Sequence, residues 1–593
     1  MNKRVLIMGG GVAGMSAAHE LIERGFSVLV LEKNKMLPGG KARSIPVPDS
    51  ASTGKQELPG EHGFRFFPGF YRHIIHTMDR IPYPDIHSNA KVSGNLVACP
   101  NMMMTRMGKL PIVLPSHLPR SLKDLKEMLK TLQGIETGLT KAETELIARK
   151  LWQLLTSCRE RRIDEYERTG WWEFTEAAVN SENYRTVFVE GLTRTLVAAK
   201  AETCNTKTNG DVLIQMMLCI TNPRIENDRI LNGPTNEKWL FPWLAYLQSK
   251  GVDYRFGAEV TKIETSGRLV CGVRAKVNNT EEQFQADYYL CAMPVERAAL
   301  ITNTPAMLSL DPNLSFISKL APSVAWMNGM QFFLRHDVPI VKGHIILADT
   351  PWALTAISQV QFWDVDISDY GKGDVRGIIS VDVSNWENKG IIFKLPAKEC
   401  SREEALTEVW EQMKMSFNVE EELIRDEDLI MGYVDESIVF SEVLLRLAKS
   451  GKRSDPKTGG SRSFPGYGNN RVTSNEEPLL VNEINTWSIR SDSRTAIGNF
   501  FLAADYVRTF TDLATMEGAN EAARRAVNNI IEHSGTRAEF CGVWDLHEPK
   551  WLLYYQWKDR KRFRQGLPWK LKEPWFGPVF NFFLNILRKL KLI

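Results

Sequence analysis

A short apolar run, Val5-Leu6-Ile7-Met8, passes directly into Gly9-Gly10-Gly11-Val12-Ala13-Gly14, and this junction constrains the fold more tightly than any other stretch of the chain. A run this short, bounded by glycine, reads as a strand buried on both faces of a parallel sheet. Gly9, Gly11 and Gly14 satisfy the spacing G-x-G-x-x-G. The first glycine allows a tight turn, the second lets backbone N–H groups approach a pyrophosphate, and the third lets helix and strand pack closely. Ala13, Ala17, Leu21 and Ile22 then recur at helical spacing, with Gly25 where a C-cap belongs. Ser27-Val28-Leu29-Val30-Leu31 reads as a second strand and ends at Glu32, eighteen residues beyond Gly14. A carboxylate there accepts from both hydroxyls of an adenosine ribose and repels a 2′-phosphate. Strand, glycines, helix, strand and acid in this order predict a dinucleotide-binding domain at the N-terminus.

Two further blocks narrow the dinucleotide. Gly39-Gly40-Lys41-Ala42-Arg43-Ser44 follows Glu32 closely and pairs glycines with cations. Far along the chain, Asn499-Phe500-Phe501-Leu502-Ala503-Ala504-Asp505 is an apolar run ending in an acid. It leads through Thr511-Asp512-Leu513-Ala514-Thr515-Met516-Glu517-Gly518-Ala519 into a helical stretch over 520–531. These blocks resemble the FAD-dependent amine oxidase and phytoene (carotenoid) desaturase superfamily. The resemblance implies FAD. It implies that Gly39, Gly40, Lys41 and Arg43 touch the pyrophosphate and ribityl chain, and that Asp505 holds the ribityl or pyrophosphate end. It also implies that the helix start around Met516 offers N–H groups to the flavin O2 edge, where charge collects on reduction. Ala504 stands where the family often has glycine. Residues 247–263 resemble the family's helix end, strand and G-x-x-V segment, which implies that Val260 meets the adenine through its backbone, and 287–294 resemble its returning strand. With Gly9, Gly11, Ala13, Gly14, Glu32 and Lys33, these are the cofactor-binding residues expected.

The segment Gly60-Glu61-His62-Gly63-Phe64-Arg65-Phe66-Phe67-Pro68-Gly69-Phe70-Tyr71 is similar to the flavin-adjacent segment of phytoene-desaturase-like and hydroxysqualene-dehydroxylase-like flavoproteins. That branch implies a desaturase or dehydrogenase that passes a hydride from an isoprenoid, carotenoid-like or other long apolar substrate to the flavin. It also implies a separate electron acceptor, such as oxygen or a quinone. Amine oxidation, and polyene isomerisation by reduced FAD, stand as alternatives, as does a non-catalytic flavin-stabilised partner protein. Methionine and aromatic runs such as Met102-Met103-Met104, Trp171-Trp172-Glu173-Phe174 and Met330-Gln331-Phe332-Phe333 suit a flexible apolar ligand, although ordinary core is the better reading of any one of them taken singly. No catalytic constellation and no metal-ligand spacing stands out, and the histidines, His547 among them, read as structural.

Composition excludes other classes. With 74 Lys+Arg against 71 Asp+Glu, the chain lacks the basic surplus of a nucleic-acid binder. Eight cysteines without a CxxC pair rule out a disulfide scaffold or zinc ribbon and fit reduced cytoplasmic thiols. The N-terminus reads as a strand, not a signal peptide, and no run is long and apolar enough to span a bilayer. Residues 558–593 carry ten Lys+Arg against two Asp+Glu, interleaved with aromatics, and 579–593 has the pattern of an interfacial helix. A cytoplasmic protein held at the membrane surface is expected, with core packing of this tail the alternative. Residues 450–470, rich in glycine and serine, read as a surface loop, and Gly371-Lys372-Gly373 as a turn. The architecture expected is α/β. A Rossmann-like, doubly wound parallel sheet is assembled from 1–75, 240–300 and 475–535, with an interleaved α+β substrate domain from 76–239 and 301–474, and the tail from 536–593.

Overall fold

The computed structural model describes residues 3–115, 138–191, 199–221, 228–441 and 470–570. Residues 571–593 and almost all of the segment 450–470 therefore lie outside the described residues, and with them the tail helix read from the sequence. At the centre is a five-stranded sheet whose strands run, from edge to edge, Asp253–Arg255, Ser27–Leu31, Arg4–Met8, Tyr288–Cys291 and Phe500–Leu502. Every pairing is parallel. Val5, Leu6, Ile7 and Met8 are wholly buried, which accounts for their uninterrupted apolar sequence. Helix Val12–Ile22 lies against the sheet and packs on helix Met516–Ser534, so the first and last blocks of the domain meet in one layer. An antiparallel meander, Ala258–Ser266, Leu269–Val277 and Thr280–Phe284, joins the edge strand to the returning one.

A second, seven-stranded sheet is built from the insertions. Its order is Leu429–Val434, Asn328–Leu334, Gly377–Val383, Leu354–Ser358, Gly343–Leu347, Asn101–Arg106 and Lys109–Pro115. It is antiparallel except where Gly343–Leu347 lies beside Asn101–Arg106. Met330, Phe332, Ile379, Val381 and Ala356 project from one face onto helix Arg402–Phe417, whose Leu406, Val409, Trp410 and Met413 complete that core. Strand periodicity then sends Gln331, Ser380, Asp382, Thr355 and His344 to the opposite face, which is also buried. A sheet buried on both sides with polar residues on one side has that side turned toward a ligand site.

The third unit is helical. Helix Lys141–Thr156 begins with a capping box in which Thr140 accepts from Glu143 N–H and Glu143 reaches back to Thr140 N–H. The tail helix, Leu552–Arg564, packs on this unit. Asp559 is fully buried and accepts from the Arg161 Nε at 2.9 Å and from Cys158 N–H at 2.9 Å. Trp569 Nε1 donates to Thr156 at 3.1 Å. Helix Leu552–Arg564 and Trp569 are thus packed, as the core-packing alternative for the tail expects of this part. Gly371 and Gly373 adopt φ of 64° and 80°, as a turn requires.

Candidate active site

One large cavity, about 1200 Å³, runs between the parallel sheet and the polar face of the seven-stranded sheet. It exceeds the roughly 300–1,000 Å³ of ordinary small-ligand sites, as a dinucleotide plus a substrate demands. Gly9, Gly11, Ala13, Glu32, Lys33, Gly39, Gly40, Lys41, Arg43, Val260, Asp505 and Met516 all line it. Gly14 does not. A Cβ there would sit 1.9 Å from the Gly9 carbonyl oxygen, so its role is the close approach of helix to turn.

Two of the cradle's glycines hold backbone conformations that side chains rarely adopt. Gly9 sits at φ 102° and Gly39 at φ 92°, left-handed regions that favour glycine. Gly39 N–H donates to the Gly10 carbonyl at 3.1 Å, so the two glycine loops are stitched together across the mouth of the site. Glu32 accepts from Gly10 N–H at 2.7 Å and from Asn34 N–H at 2.6 Å, leaving lone pairs on both oxygens for ribose hydroxyls. Burial pushes its carboxyl up, partly offset by those two N–H groups. Lys33 is exposed and pairs with Glu259 at 3.3 Å. Lys41 and Arg43 face acids instead of open solvent: Lys41 Nζ lies 3.1 Å from Glu296, and Arg43 donates to Glu477 at 2.7 Å.

At the far wall Asp505 presents a buried Oδ1 without a hydrogen-bond partner, the kind of orphan that a ligand hydroxyl satisfies. Its neighbour Ala504 has φ 124°, a conformation side chains rarely adopt, so alanine carries strain where the family often has glycine. Helix Met516–Ser534 begins at the cavity, where the resemblance placed its start, with Thr515 as its N-cap accepting from Gly518 N–H at 3.2 Å. Nineteen residues long, it aims its positive end at the site. Glycine cradle, free carboxylate oxygens and helix N-terminus together fit the flavin dinucleotide implied by the motifs.

The opposite wall is where the sequence reading falls short. Residues 62–66 cross the polar face of the second sheet so closely that Gly329 N–H donates to the His62 carbonyl at 2.6 Å. That crossing gathers Glu61, His62 and Arg65 from one segment with Asp382, Asp435 and His344 from three others. His62 Nδ1 is 3.0 Å from Asp435, whose carboxyl stays below the usual range because His62 and Ser437 outweigh the cost of its burial. Burial raises Asp382 and Glu61 to about 7 each, against the opposing pull of Arg65. Burial lowers His344 to about 4, so it is neutral near pH 7. His62 and His344 both line the cavity, and the Nε2 of each is without a partner among the described residues, where the sequence reading took every histidine as structural. The signal was present in Gly377-Ile-Ile-Ser-Val-Asp-Val, where polar residues alternate within a strand otherwise made of core residues. Among the described residues no cluster of His, Cys, Asp and Glu is arranged to hold a metal, and no helix is long and apolar enough to cross a membrane.

Comparison with known proteins agrees with this geometry. Residues 244–531 match the flavin containing amine oxidoreductase family, and residues 7–81 match the NAD(P)-binding Rossmann-like domain. Among solved structures, putrescine oxidase bound to putrescine is similar over 90% of this chain and 99% of its own, at 13% identity and a TM-score of 0.56. Cyclohexylamine oxidase from Brevibacterium oxydans is similar over 90% and 100%, at 15% identity and a TM-score of 0.52. An oxidoreductase from Methanosarcina mazei is similar over 89% and 100%, at 12% identity and a TM-score of 0.55. At these identities the likeness is one of fold.

Proposed function

Because the chain is an FAD-dependent oxidoreductase of the amine-oxidase family, we propose that it dehydrogenates a long, largely apolar substrate of isoprenoid type, with the hydride passing from a substrate carbon to the cofactor. The observation that carries this reading is the wall between the glycine cradle and the second sheet, where Phe64, Phe66, Phe70, Met216, Met327 and Leu480 line the cavity. Aromatic and methionine surfaces of this kind exclude water and adapt to flexible chains. FAD, when bound, supplies the two-electron acceptor for the hydride.

The position of these residues along the cavity supports the roles that the resemblance implies. Glu32 would hold the adenosine ribose. The amides near Gly11 and Gly40 would hold the pyrophosphate, and Lys41 and Arg43 would add positive charge beside it. Val260 would meet the adenine, and Asp505 would accept from the ribityl chain. The N–H groups at Met516 would serve the edge of the flavin ring, where reduction places negative charge.

A second reading, oxidation of an amine, is favoured by the family and by the named activities of putrescine oxidase and cyclohexylamine oxidase. The purified holoprotein distinguishes the two. Mixed without oxygen with a polyprenyl lipid, with putrescine or with cyclohexylamine, its flavin absorbance bleaches with the lipid on our reading and with an amine on the alternative.

A lipid-surface location belongs to the same proposal. The exposed Trp551, Leu553, Tyr554 and Trp557 crown the tail helix, with Lys558 stacked on Tyr554 at 4.4 Å and Lys561 on Trp557 at 3.6 Å. Aromatics at headgroup level beside cations suit an anionic leaflet.

A further inference from the structure

The loop between strand Phe500–Leu502 and helix Met516–Ser534 presents Ala504, Asp505, Leu513, Ala514 and Thr515 to the cavity. Against this loop lies a turn, Trp487-Ser488-Ile489-Arg490, closed by Arg490 N–H donating to the Trp487 carbonyl at 3.1 Å. Neither Trp487 nor Arg490 lines the cavity. Trp487 Nε1 and Lys207 Nζ each donate to Asp512 Oδ2 at 2.6 Å, and Thr509 N–H donates to its Oδ1 at 2.9 Å. Burial would raise the Asp512 carboxyl, but Lys207 and Arg490 outweigh it and hold the group below the ordinary range. Lys207 is thus a buried cation with its counter-ion in place.

Arg490 has no such partner. It is 1% exposed and forms no ion pair of its own among the described residues. Its Nη1 donates to the Asp505 carbonyl at 2.5 Å and its Nη2 to Asn482 Oδ1 at 2.7 Å, while Nε has no partner. Both acceptors belong to residues that line the cavity. Burial weighs against the guanidinium charge, and Asp512 and Asp505 oppose that effect only through space. The cations of the second glycine loop differ, since Lys41 has Glu296 at 3.1 Å and Arg43 has Glu477 at 2.7 Å.

A buried guanidinium without a counter-ion is costly, and negative charge arriving nearby offsets the cost. Bound FAD carries such charge, on its phosphates in either oxidation state and on its ring after reduction. We infer that Arg490 is a positioning residue of the cofactor site, one that fixes the Asp505 carbonyl and whose charge favours the reduced cofactor and raises its midpoint potential. The hydrogen bond to that carbonyl also restrains the backbone next to Ala504, whose φ of 124° persists only where its surroundings hold it. Asp512, by neutralising Lys207, leaves Arg490 as the uncompensated charge of the pair. The inference rests on the placement of FAD along residues 505–516 proposed above, and it is independent of the substrate.

The test is the midpoint potential of FAD bound to the full chain, measured against redox dyes without oxygen and without substrate. Arg490→Gln keeps a donor for the Asp505 carbonyl and removes the charge. Its ratio of affinities for reduced over oxidised FAD should fall about ten- to thirtyfold, a midpoint about 30–45 mV lower. Arg490→Lys, which keeps the charge, should recover most of that difference. Asp512→Asn leaves Lys207 without its counter-ion and should move the midpoint upward. A midpoint unchanged or raised in Arg490→Gln overturns the inference, as does an equal fall in Arg490→Gln and Arg490→Lys. If Arg490→Gln does not retain flavin, the Asp512→Asn shift decides, and a fall or no change overturns the inference. If neither variant retains flavin, both residues are scaffold and the inference falls. Asp505→Ala separates this inference from the placement it rests on. Unchanged FAD retention in that variant removes both, whereas weakened retention beside an unmoved Arg490→Gln midpoint removes the inference alone.

Discussion

At the scale of single residues, two side chains carry the sharpest expectations. Asp505 has a buried, unpartnered Oδ1 at the far wall of the cavity. Asp505→Ala should therefore weaken FAD retention by about 1.5–3 kcal/mol, the worth of one hydrogen bond involving a charged group. Flavin released on dilution, measured by fluorescence, checks this, and unchanged retention would place the cofactor elsewhere. Asp382 titrates the fold. Its carboxyl is at about 7 in the folded chain because of burial, well above the ordinary aspartate value. The folded state thus binds more protons than the unfolded one between roughly pH 4 and pH 7. The stability this group contributes is present below the unfolded value and is lost as pH rises through about 7. Urea unfolding at about pH 5 and about pH 8 should show Asp382→Asn losing distinctly less stability on the rise than the native protein, or gaining more, since His344, lowered to about 4 by burial, pulls the other way in both. Glu61, also at about 7, contributes in the same direction and remains in the variant.

At the scale of elements, the start of helix Met516–Ser534 acts beyond the cofactor. Glu517 points away from the cavity and accepts from the N–H groups of Arg72, His73 and Ile74 at 2.8, 2.9 and 2.9 Å, and from His73 Nδ1 at 2.7 Å. It therefore caps helix His73–Met78, whose own N-terminus lacks a capping side chain. One turn on, Asn520 donates to Ser16 and Thr77, and Arg524 lies 3.1 Å from Glu20. Three helices from opposite ends of the chain are held in one buried polar seam. Glu517→Ala would leave His73 and three N–H groups without an acceptor inside that seam. We expect a loss of about 3–5 kcal/mol, the range for breaking a buried pair by removing one partner. The denaturant midpoint at constant m-value measures it. A loss under about 1 kcal/mol would mean the helices are held by their apolar faces alone.

At the scale of the whole molecule, the tail bears on where the protein sits. Asp559 and Trp569 pack on the helical unit. Residues 571–593 are basic and aromatic in sequence and include Arg588, Lys589 and Lys591. A chain ending at residue 570 should keep its FAD and its thermal transition and lose affinity for anionic liposomes. Each cation near such a surface is worth roughly 1 kcal/mol, screened over about 10 Å at 0.1 M salt. Co-sedimentation with anionic vesicles at low and high salt measures this. Equal sedimentation of the two chains would assign the lipid contact to the exposed aromatics of helix Leu552–Arg564 or to none.

The sequence by itself determined the cofactor domain, because its constraints are local. A glycine that must adopt φ 102° at Gly9, an acid at the tip of a strand at Glu32 and an apolar run of four between them can be read without knowing what lies across the molecule. Three such blocks, hundreds of residues apart, needed only their order to be joined into one parallel sheet, in which Val5 stands beside Val28 and Tyr288. The substrate wall was decided by tertiary structure alone. Asp382 and His344 carry no motif and are unremarkable in their own strands, and Arg65 belongs to the segment 60–71 that the resemblance singled out without giving it a role. They become a site because the insertion 301–474 pairs Gly377–Val383 with Leu354–Ser358, and because Gly329 lets residues 62–66 cross that sheet in near contact. The same holds for the tail, where a run of cations and aromatics looks like a surface segment until Arg161, four hundred residues away, supplies the buried partner for Asp559. Backbone conformation is written in neighbouring residues, whereas burial depends on what the rest of the chain brings alongside, and that is where the chemistry of this cavity was settled.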